Sequence, residues 1–462
     1  METFRDSLAT VDKEGKRQWI YAQQPKGKLY RYRTILSYFY FMVFFSLPFM
    51  HVNGRPFFML NVVEGKFILF GAIFWPQDFF LFGLCMLAFV VFVALFTMAF
   101  GRLFCGWACP QTIFMEMLFR RIEYWVEGSA AQQRLLDNGP WTTEKIWRKT
   151  VKHILFFLLS FLIANTFLAY IIGIKALGRI VAEPLSAHAG GFTAILVFSA
   201  VFYGVFAFFR EQVCTVVCPY GRLQGVLMDR NSVIVAYDYE RGEPRGKFSK
   251  SGTADQGDCI DCMQCVKVCP TGIDIRNGTQ LDCVNCTACI DACNFMMLKT
   301  GKPEGLIRYA SENGIAAKQP LRFTPRLKVY TIALMMILGG ITFLLVNRHP
   351  VSGTIIRTAG MLYQERGNDS ISNLYRIKLV NKTADNLQLQ LLLEETKGRV
   401  QMVGKSPIAL KAGEQGEGTF FIVLPRAAIT KRKNAIRVTL FTGYEKVGEL
   451  KTTFLGPITL SN

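Results

Sequence analysis

Histidine is scarce in this chain, and several familiar catalytic motifs are missing from it. Only four histidines occur among 462 residues, and they do not form the facing pairs that axial ligation of a membrane haem b requires. No Walker motif, no G-x-G-x-x-G element between a strand and a helix and no Ser/His/Asp set stands out. The sequence therefore argues against an intrinsic haem, an ATPase and a flavin-dinucleotide enzyme.

Acidic residues are outnumbered, with 34 Asp and Glu against 53 Lys and Arg and a formal net charge of +19. Such an excess is typical of proteins that bind nucleic acid or a membrane surface. Most of the excess here lies beside long apolar runs, where basic residues mark membrane topology. We therefore expect no nucleic-acid partner.

Long apolar runs are abundant. Half of the chain is hydrophobic and its mean hydropathy is +0.25, and residues 34–51, 79–100, 151–173, 192–209 and 329–346 are each long and apolar enough to cross a bilayer. The sequence predicts a helical bundle of about five spans. Residues 1–33 contain no apolar core of a signal peptide, so we expect the first span to direct insertion.

Basic residues distinguish the two sides of the membrane. Residues 1–33 contain eight, residues 101–150 contain seven and residues 210–328 contain sixteen, whereas the intervening segments 52–78 and 174–191 contain two each. The positive-inside rule places the first three segments in the cytoplasm. Five crossings of a bacterial inner membrane would then leave the last 116 residues in the periplasm.

The C-terminal segment has short apolar runs in place of long ones. Short runs of strand length at 375–380, 387–393, 418–424 and 436–441 are separated by Asn, Gly, Pro and Lys, which predicts a β-sandwich of the immunoglobulin type. No cysteine follows Cys293, so no disulfide is expected there. The predicted multi-domain membrane protein has a cytoplasmic N-terminal segment (1–33), a four-span bundle (34–230), a ferredoxin-like domain (231–328), a fifth transmembrane helix (329–346) and a periplasmic β-sandwich (347–462).

Eight cysteines lie between residues 259 and 293, in two runs of C-x2-C-x2-C-x3-C, the first of which ends in Pro270. Bacterial two-cluster ferredoxins have this spacing, in which each triplet supplies three thiolates to one [4Fe–4S] cluster and the fourth comes from the other run. Structural zinc also uses C-x2-C pairs, but zinc does not explain two triplets with a fourth cysteine. The rule assigns one cluster to Cys259, Cys262, Cys265 and Cys293, and the other to Cys269, Cys283, Cys286 and Cys289.

A second cysteine pattern occurs twice. Cys105-x3-Cys109-Pro110 follows the second predicted span, and Cys214-x3-Cys218-Pro219 follows the fourth, as in an internal repeat of two spans and a loop. If both loops meet at the inner membrane face, four thiols come together. On a helix an i, i+4 pair shares one face, so each pair could hold a soft ion such as Cu(I) or cycle between dithiol and disulfide.

Plain burial is the alternative for these cysteines, because free Cys packs as a small hydrophobe. That explanation suits Cys85, which lies alone inside the second predicted span. It explains less well why the same spacing, proline and position recur in two places.

Together these features resemble the FixG/RdxA/CcoG family of accessory proteins for cbb-type cytochrome c oxidase. The resemblance rests on Gly-Lys-Arg-Gln-Trp-Ile at residues 15–20, the two C-x3-C-P loops, Cys-Ile-Asp-Cys-Met-Gln-Cys at residues 259–265 and the β-rich tail. It implies two [4Fe–4S] clusters and reduction of Cu(II) to Cu(I) for oxidase assembly. It implies copper binding, as substrate or bound metal, and catalysis at Cys105, Cys109, Cys214 and Cys218.

Three hypotheses follow. The first is a membrane cupric reductase that serves the oxidase assembly machinery or a copper chaperone. The second, from a similarity to the NapH/NosR type of membrane ferredoxin, is a conduit that passes electrons from quinol to a partner. The third is a non-redox scaffold or sensor. A homo-oligomer is compatible with each of them.

Overall fold

The computed structural model describes residues 10–11, 14–52, 54–61, 66–69, 71–74, 79–184, 186, 188–247, 256–318, 324–347, 350–358, 362–367, 369–383, 385–393, 397–404 and 406–457. The chain forms two compact units. The first comprises Met1–Pro48 and Leu84–Leu338, and the second comprises Phe49–Gly83 and Gly339–Asn462. Most of the predicted bundle and the predicted ferredoxin-like domain thus belong to one compact unit.

Helices make up most of the first unit. In chain order they are α1 (Lys28–Ser46), α2 (Phe79–Phe100), α3 (Leu103–Trp107), α4 (Pro110–Phe114), α5 (Arg120–Val126), α6 (Ala130–Asn138), α7 (Thr143–Ile172), α8 (Ile174–Ala182), α9 (Ala189–Gly204), α10 (Pro219–Leu227), α11 (Tyr239–Gly242), α12 (Gln264–Lys267), α13 (Ala288–Lys299), α14 (Glu312–Ala316) and α15 (Pro325–Val346). Three π-helical turns accompany them, at Met115–Phe119, Val205–Phe209 and Val213–Val217.

Four helices in the described part of the chain are long and apolar enough to cross a membrane: Phe80–Phe100, Thr143–Ile172, Ala189–Phe209 and Pro325–Val346. The 22 residues of α15 span about 33 Å at the helical rise, which exceeds a hydrocarbon core of about 30 Å. These four helices coincide with the last four of the five predicted apolar spans.

The first predicted span, 34–51, corresponds to a helix with different ends. Helix α1 begins at Lys28 and ends at Ser46, and a short 3₁₀ turn follows it at Leu47–Phe49. Its first two turns carry Lys28, Arg31 and Arg33, so it is less apolar than the other four. The count of five spans stays a prediction.

Aromatic side chains form the core between the helices of the first unit. Phe206 stacks on Phe119 with ring centroids 4.4 Å apart, and Phe156 meets Phe119 edge-on at 4.9 Å. Such pairs contribute about 0.5–1.5 kcal/mol each beyond the burial of their area. Phe119 and Phe206 lie in two of the π-helical turns. Phe119 follows the first C-x3-C-P loop and Phe206 precedes the second, so this core joins the segments next to the two loops.

A two-stranded antiparallel sheet frames the cysteine-rich segment. Strands β6 (Ile234–Tyr237) and β7 (Ile307–Ala310) pair with each other, one before the cysteines and one after them. Helix α13 packs against this sheet, and Val235, Met297 and Ile307 are buried around the cysteine side chains. This small core holds the two ends of the segment together.

The C-terminal part of the second unit is a β-sandwich. One sheet has the strand order β12-β14-β10-β8 with β9 paired to β10, and the other has the order β13-β11-β15-β16. The strands are β8 (Val351–Arg357), β9 (Gln364–Arg366), β10 (Ser370–Asn381), β11 (Leu387–Leu393), β12 (Arg399–Val403), β13 (Ile408–Leu410), β14 (Gln415–Pro425), β15 (Lys433–Thr442) and β16 (Glu445–Leu455).

The inner faces of the two sheets bury large apolar residues, including Ile377, Phe420, Val438 and Phe454, none of which is exposed. All four predicted strand runs lie inside strands of this sandwich, which confirms the prediction of a β-rich C-terminal domain.

Five short strands precede α2 in the second unit: β1 (His51–Val52), β2 (Arg55–Pro56), β3 (Phe58–Asn61), β4 (Lys66–Leu69) and β5 (Ala72–Phe74). The last three form an antiparallel sheet. Arg55 donates a hydrogen bond of 3.0 Å to the carbonyl of Thr383, which joins this segment to the sandwich.

Candidate metal centre

The two cysteine triplets share an unusual backbone. In each of them the residue before the second cysteine and the residue after it have positive φ: Asp261 (49°) and Met263 (58°) in one, Asn285 (53°) and Thr287 (65°) in the other. Left-handed conformations cost about 1–2 kcal/mol per residue and recur where a loop clamps a ligand. Because the same two positions are left-handed in both triplets, the two backbones turn in the same way around their cysteine sulfurs.

The third cysteine of each triplet is the second residue of a helix. Cys265 lies in α12 and Cys289 in α13, and the left-handed residues Met263 and Thr287 are the N-caps of these helices. Helix N-termini carry partial positive charge and present free N–H groups. These groups act against burial, which raises the pKa of both thiols.

Charge interactions among the cysteines mostly follow the two sets of the spacing rule, although Cys265 of the first set also acts on Cys289 of the second. Burial raises the pKa of Cys293 to about 12, with Cys259 and Cys262 adding to the rise. Burial likewise raises the pKa of Cys283 to about 12, and there the neighbours are Cys269 and Cys286. Thiols so buried stay anionic only when positive charge compensates them, as coordinated iron does.

The second set lines a cavity. Its walls include all four cysteines assigned to one cluster by the spacing rule, together with Cys265, Thr271 and Thr287. Among the described residues, no three His, Cys, Asp or Glu side chains converge closely enough to hold a single metal ion. A four-iron cube spreads its thiolates around a wider body than one ion does. The donor set and cavity therefore fit a [4Fe–4S] cluster.

The C-x3-C-P cysteines lie at helix breaks. Cys105 is in α3 and Cys214 is in the π-helical turn Val213–Val217, whereas Cys109 and Cys218 are the N-cap residues of α4 and α10. The expectation that each pair shares one face of a single helix is wrong. A proline disfavours the helical conformation of the residue before it, so Cys109 and Cys218 are extended, with ψ of 125° and 112°.

The four thiols nevertheless lie near one another, although in the described chain no three of them converge closely enough to hold a single metal ion. Cys105 interacts electrostatically with Cys109 and Cys218, and Cys214 interacts with Cys109 and Cys105. Burial raises the pKa of Cys214 to about 12. The internal repeat inferred from the sequence thus places its two loops side by side, while Cys85 stays exposed in α2.

A buried glutamine contacts this thiol set. The Sγ of Cys105 donates to Oε1 of Gln224 at 3.1 Å, and Nε of Arg102 donates to the same oxygen at 3.2 Å. Gln224 is completely buried and lies in α10, so it joins the two repeats. Nothing in the spacing of the cysteines indicated this residue.

The thiol set also lies against the second cysteine triplet. A Cβ on Gly106 would come within 2.4 Å of the carbonyl oxygen of Val284 and 2.8 Å of that of Asn285, so only glycine fits between these backbones. The indole N–H of Trp107 donates to the hydroxyl of Tyr309 at 3.1 Å. The first C-x3-C-P loop therefore contacts the loop between Cys283 and Cys286 directly.

Arg102 contacts all three parts of the site. Besides Gln224, its guanidinium donates to the carbonyl oxygens of Cys214 and Leu281. It thereby links the first repeat, the second repeat and the cysteine-rich segment. Its position directly after α2 was the only hint in the sequence.

A network of buried charges flanks the site. Arg210 donates to both carboxylate oxygens of Glu123, at 2.6 and 2.9 Å, and its φ of 52° is strained. The guanidinium groups of Arg17 and Arg210 both lie over the Trp19 ring, at 4.5 and 4.6 Å from its centroid. Residues 17–19 of the N-terminal segment thus pack onto the end of the second repeat, although sequence reasoning gave them no structural role.

Comparisons with known proteins agree with this arrangement. Residues 82–128 match a family of 4Fe–4S binding domains, residues 209–312 match the 4Fe–4S dicluster domain, and residues 341–457 match the Ig-like fold at the C-terminus of FixG.

Three relatives are similar over most of their length. Protein RdxA of Cereibacter sphaeroides is 34% identical over 352 residues, which cover 74% of this chain and 73% of RdxA. Nitrogen fixation protein FixG of Rhizobium meliloti is 31% identical over 423 residues, with 82% and 80% covered. Protein RdxB of C. sphaeroides is 33% identical over 395 residues, with 81% and 82% covered. With its cysteine-rich segment, its apolar helices and its Ig-like domain, the chain belongs to the FixG/RdxA family and is an iron–sulfur electron-transfer protein of the oxidoreductase type.

Proposed function

We propose that this protein reduces Cu(II) to Cu(I) and supplies Cu(I) for the assembly of cbb-type cytochrome c oxidase. The eight cysteines of residues 259–293 would hold two [4Fe–4S] clusters, in the two sets given by the spacing rule. When bound, these clusters supply one-electron reducing equivalents. The substrate would bind at Cys105, Cys109, Cys214 and Cys218.

The contact of Gly106 with Val284 and Asn285 carries the proposal. In the sequence, Gly106 lies between Cys105 and Cys109 of the substrate set, and Val284 and Asn285 lie between Cys283 and Cys286 of the second triplet. The electron donor and the substrate would therefore bind to neighbouring loops. Thiolates favour Cu(I) over Cu(II). A set of thiolates here would therefore favour the reduced product, and each Cu(II) ion would take up one electron.

Copper reduction by purified protein tests the proposal. Full-length protein, isolated without oxygen, is reduced with dithionite and desalted, and Cu(II) is then added with a chelator that absorbs only when it binds Cu(I). We expect Cu(I) to form as the clusters are reoxidised. Replacing Cys105 and Cys109, or Cys214 and Cys218, by Ala should abolish copper binding and leave cluster absorbance intact.

Cys85→Ala is the matched control, since that thiol lies outside the set; it should behave like the unaltered protein. Copper reduction that survives the loss of all four C-x3-C-P cysteines would refute the proposal. Clusters that never change oxidation state during oxidase assembly would instead favour a scaffold or sensor.

A groove favours a second candidate function, in which the protein oxidises quinol and passes the electrons to another acceptor. It measures about 560 Å³ and is lined by aromatic and apolar residues of α7 and α9, including Phe157 and Tyr203. In it the Tyr203 hydroxyl and His153 Nδ1 are 2.8 Å apart, a polar pair suited to a quinol headgroup. Bleaching of the clusters by quinol without copper would support this candidate.

We further propose that the cysteine-rich segment faces the cytoplasm of a bacterial cell and that the Ig-like domain faces the periplasm. The distribution of basic residues supports this orientation. Cu(I) would then be released to a copper chaperone or to the oxidase assembly machinery, and the Ig-like domain offers a second surface for such a partner or for another copy of the chain.

A further inference from the structure

Two arginines are buried beside the second cysteine triplet. Only 2% of Arg33 and 3% of Arg102 is exposed. Arg33 donates from Nε to the carbonyl oxygen of Gly106 at 2.6 Å, while one of its terminal nitrogens is buried without a partner. The three acceptors of Arg102 are carbonyl and amide oxygens. In the described part of the chain, neither arginine has a carboxylate partner.

These two charges act on the second cysteine set. The Gly106 residue whose carbonyl accepts from Arg33 packs against the backbones of Val284 and Asn285, between Cys283 and Cys286. Arg102 donates to the carbonyl oxygen of Leu281, two residues before Cys283. The carboxylate of Glu116, which acts on Cys286 with the opposite sign, is itself paired with Arg120 at 3.3 Å. Both arginines thus contact the backbone where the first C-x3-C-P loop meets the loop that carries Cys283 and Cys286.

The first cysteine set has a different electrostatic environment. Arg276, beside Cys265, forms ion pairs of 2.5 Å with Asp261 and 2.6 Å with Asp274. Arg241, beside Cys293, pairs with Asp258 at 2.5 Å. The positive charges near this set are therefore neutralised by carboxylates.

A hydrogen bond adds to the difference. The sulfur of Cys269 and the hydroxyl oxygen of Thr271 are 3.4 Å apart, so this hydroxyl can donate to a thiolate of the second set. Such bonds, like nearby positive charge, stabilise the more negative reduced state of an iron–sulfur cluster and raise its potential. Burial acts in the opposite direction, but the same low dielectric strengthens the effect of an unpaired charge.

We propose that Arg33 and Arg102 are positioning residues that raise the reduction potential of the cluster held by Cys269, Cys283, Cys286 and Cys289 above that of the other cluster. This inference rests on the iron–sulfur part of the proposed function. The order of potentials directs electrons toward the substrate thiols. One electron enters from a soluble one-electron carrier of lower potential and one leaves to each Cu(II) ion, without a proton or a bond being exchanged.

A redox titration followed by EPR, on full-length protein in detergent and without copper, tests this order. We expect two separate potentials in the unaltered protein. Cys262→Ser, which alters one ligand of the first set, identifies the lower one. Arg102→Gln and Arg33→Gln should each lower the upper potential, so that the ratio of reduced to oxidised cluster at a fixed ambient potential falls about tenfold, equivalent to about 59 mV for one electron.

Three further variants separate charge from folding. Arg102→Lys keeps the charge and should retain most of the upper potential. Gln224→Glu keeps Arg102 but places a carboxylate beside it, and should lower the upper potential as Arg102→Gln does. Arg230→Gln is the control, because Arg230 is 81% exposed at its side chain, and it should leave both potentials unchanged.

Coincident potentials in the unaltered protein would overturn the inference. So would variants of Arg33, Arg102 and Gln224 that retain iron and sulfide but leave the upper potential in place, or that move only the lower one. If Arg33→Gln or Arg102→Gln loses its clusters, the inference is judged on the remaining one of these two variants and on Gln224→Glu. Because copper is left out, failure of copper reduction with these shifts present would count against the proposed substrate alone.

Discussion

Gly106 and Val284 lie in direct backbone contact, so close that a Cβ on Gly106 would come within 2.4 Å of the Val284 carbonyl oxygen. Gly106 belongs to the first C-x3-C-P loop and Val284 to the second cysteine triplet. Both are buried together with Cys105 and Cys286. The approach of these two backbones holds the thiol set and the cysteine-rich segment together.

Gly106→Ala should therefore separate the two loops. A backbone carbonyl cannot move aside as a flexible side chain does, and overpacking of this kind costs about 1–3 kcal/mol. We expect a lower midpoint of thermal unfolding and slower reoxidation of the reduced clusters by Cu(II). Gly204→Ala is the control, since a Cβ there meets nothing within 4 Å. Equal behaviour of the two variants would show that the contact is not needed.

Asp291 of α13 caps the N-terminus of α1. Its carboxylate accepts hydrogen bonds from the backbone N–H groups of Leu29 at 3.2 Å and Tyr30 at 2.8 Å. Losing an N-cap costs about 0.5–2 kcal/mol. Asp291→Ala should therefore speed amide hydrogen exchange in the first turn of α1 roughly 2- to 30-fold.

Asp291→Asn keeps an acceptor oxygen and should restore most of the protection, because Asn caps helices about as well as Asp. Exchange in the sandwich strand β15, which belongs to the other compact unit, serves as the internal reference. Unchanged exchange in Asp291→Ala would show that the first turn of α1 is held by other contacts.

The sequence predicted the features that depend on neighbouring residues and missed those that depend on contacts between distant residues. Alternation of apolar residues is local, so it correctly predicted strands such as β11 and β15, and long apolar runs correctly predicted helices such as α7. The cap of α1 comes from a residue 262 positions away. The separation of Gly106 and Val284 is of similar scale, and no local pattern reveals contacts of that kind.

Local chemistry was also misread at one point. The two cysteines of each C-x3-C-P loop were placed on one helix because their spacing is that of a helical turn. Pro110 and Pro219 each start a new helix instead, so that Cys109 and Cys218 become N-caps. The preference of proline for the first helical position was the available signal. Arg33 and Arg102 could not have been singled out, because only the folded chain shows that neither has a carboxylate partner among the described residues.

The buried pair of Glu123 and Arg210 should make stability depend on pH. Burial alone would raise the pKa of the Glu123 carboxyl, but Arg210, followed by Lys152, outweighs it and holds the pKa below its usual value. A carboxyl with a depressed folded-state pKa contributes its full stability above its unfolded pKa and loses it as the pH falls through the folded pKa. Part of the unfolding free energy should therefore disappear on acidification.

Glu123→Gln should destabilise the protein near neutral pH by at most about 3–5 kcal/mol, because the buried Arg210 charge then keeps only its longer 3.5 Å pair with Glu211. The cost relative to the unaltered protein should shrink as the pH falls below the usual carboxyl pKa of 4.5, which thermal unfolding from pH 7 to about pH 3 measures. Glu144→Gln is the control: its 2.7 Å pair with Arg148 is exposed and such pairs contribute about 0.2–1 kcal/mol. A constant difference between Glu123→Gln and the unaltered protein would contradict the linkage.

Contacts within the first unit favour the prediction of five crossings. Residues before α1 contact both later segments that were assigned to the cytoplasm: Gln23 donates its N–H to the Lys267 carbonyl at 2.7 Å, and the Tyr124 hydroxyl donates to the Ala22 carbonyl at 2.9 Å. We therefore expect these segments to lie on one side of the membrane. Helix α2 ends on that side, so if α2 crosses, α1 must already have crossed in the opposite direction.

Five crossings are thus expected, and reporter fusions test them. Fusions to green fluorescent protein after Asn138 and Lys247 should fluoresce, while alkaline phosphatase fused after Gly54 or Pro457 should be active, because that enzyme needs the oxidising periplasm to form its disulfides. Alkaline phosphatase after Asn138 is the control and should be inactive. Inactive alkaline phosphatase after Gly54 would show that α1 does not cross the membrane. Active alkaline phosphatase after Lys247 would place the cysteine-rich segment in the oxidising periplasm, where free thiols are oxidised.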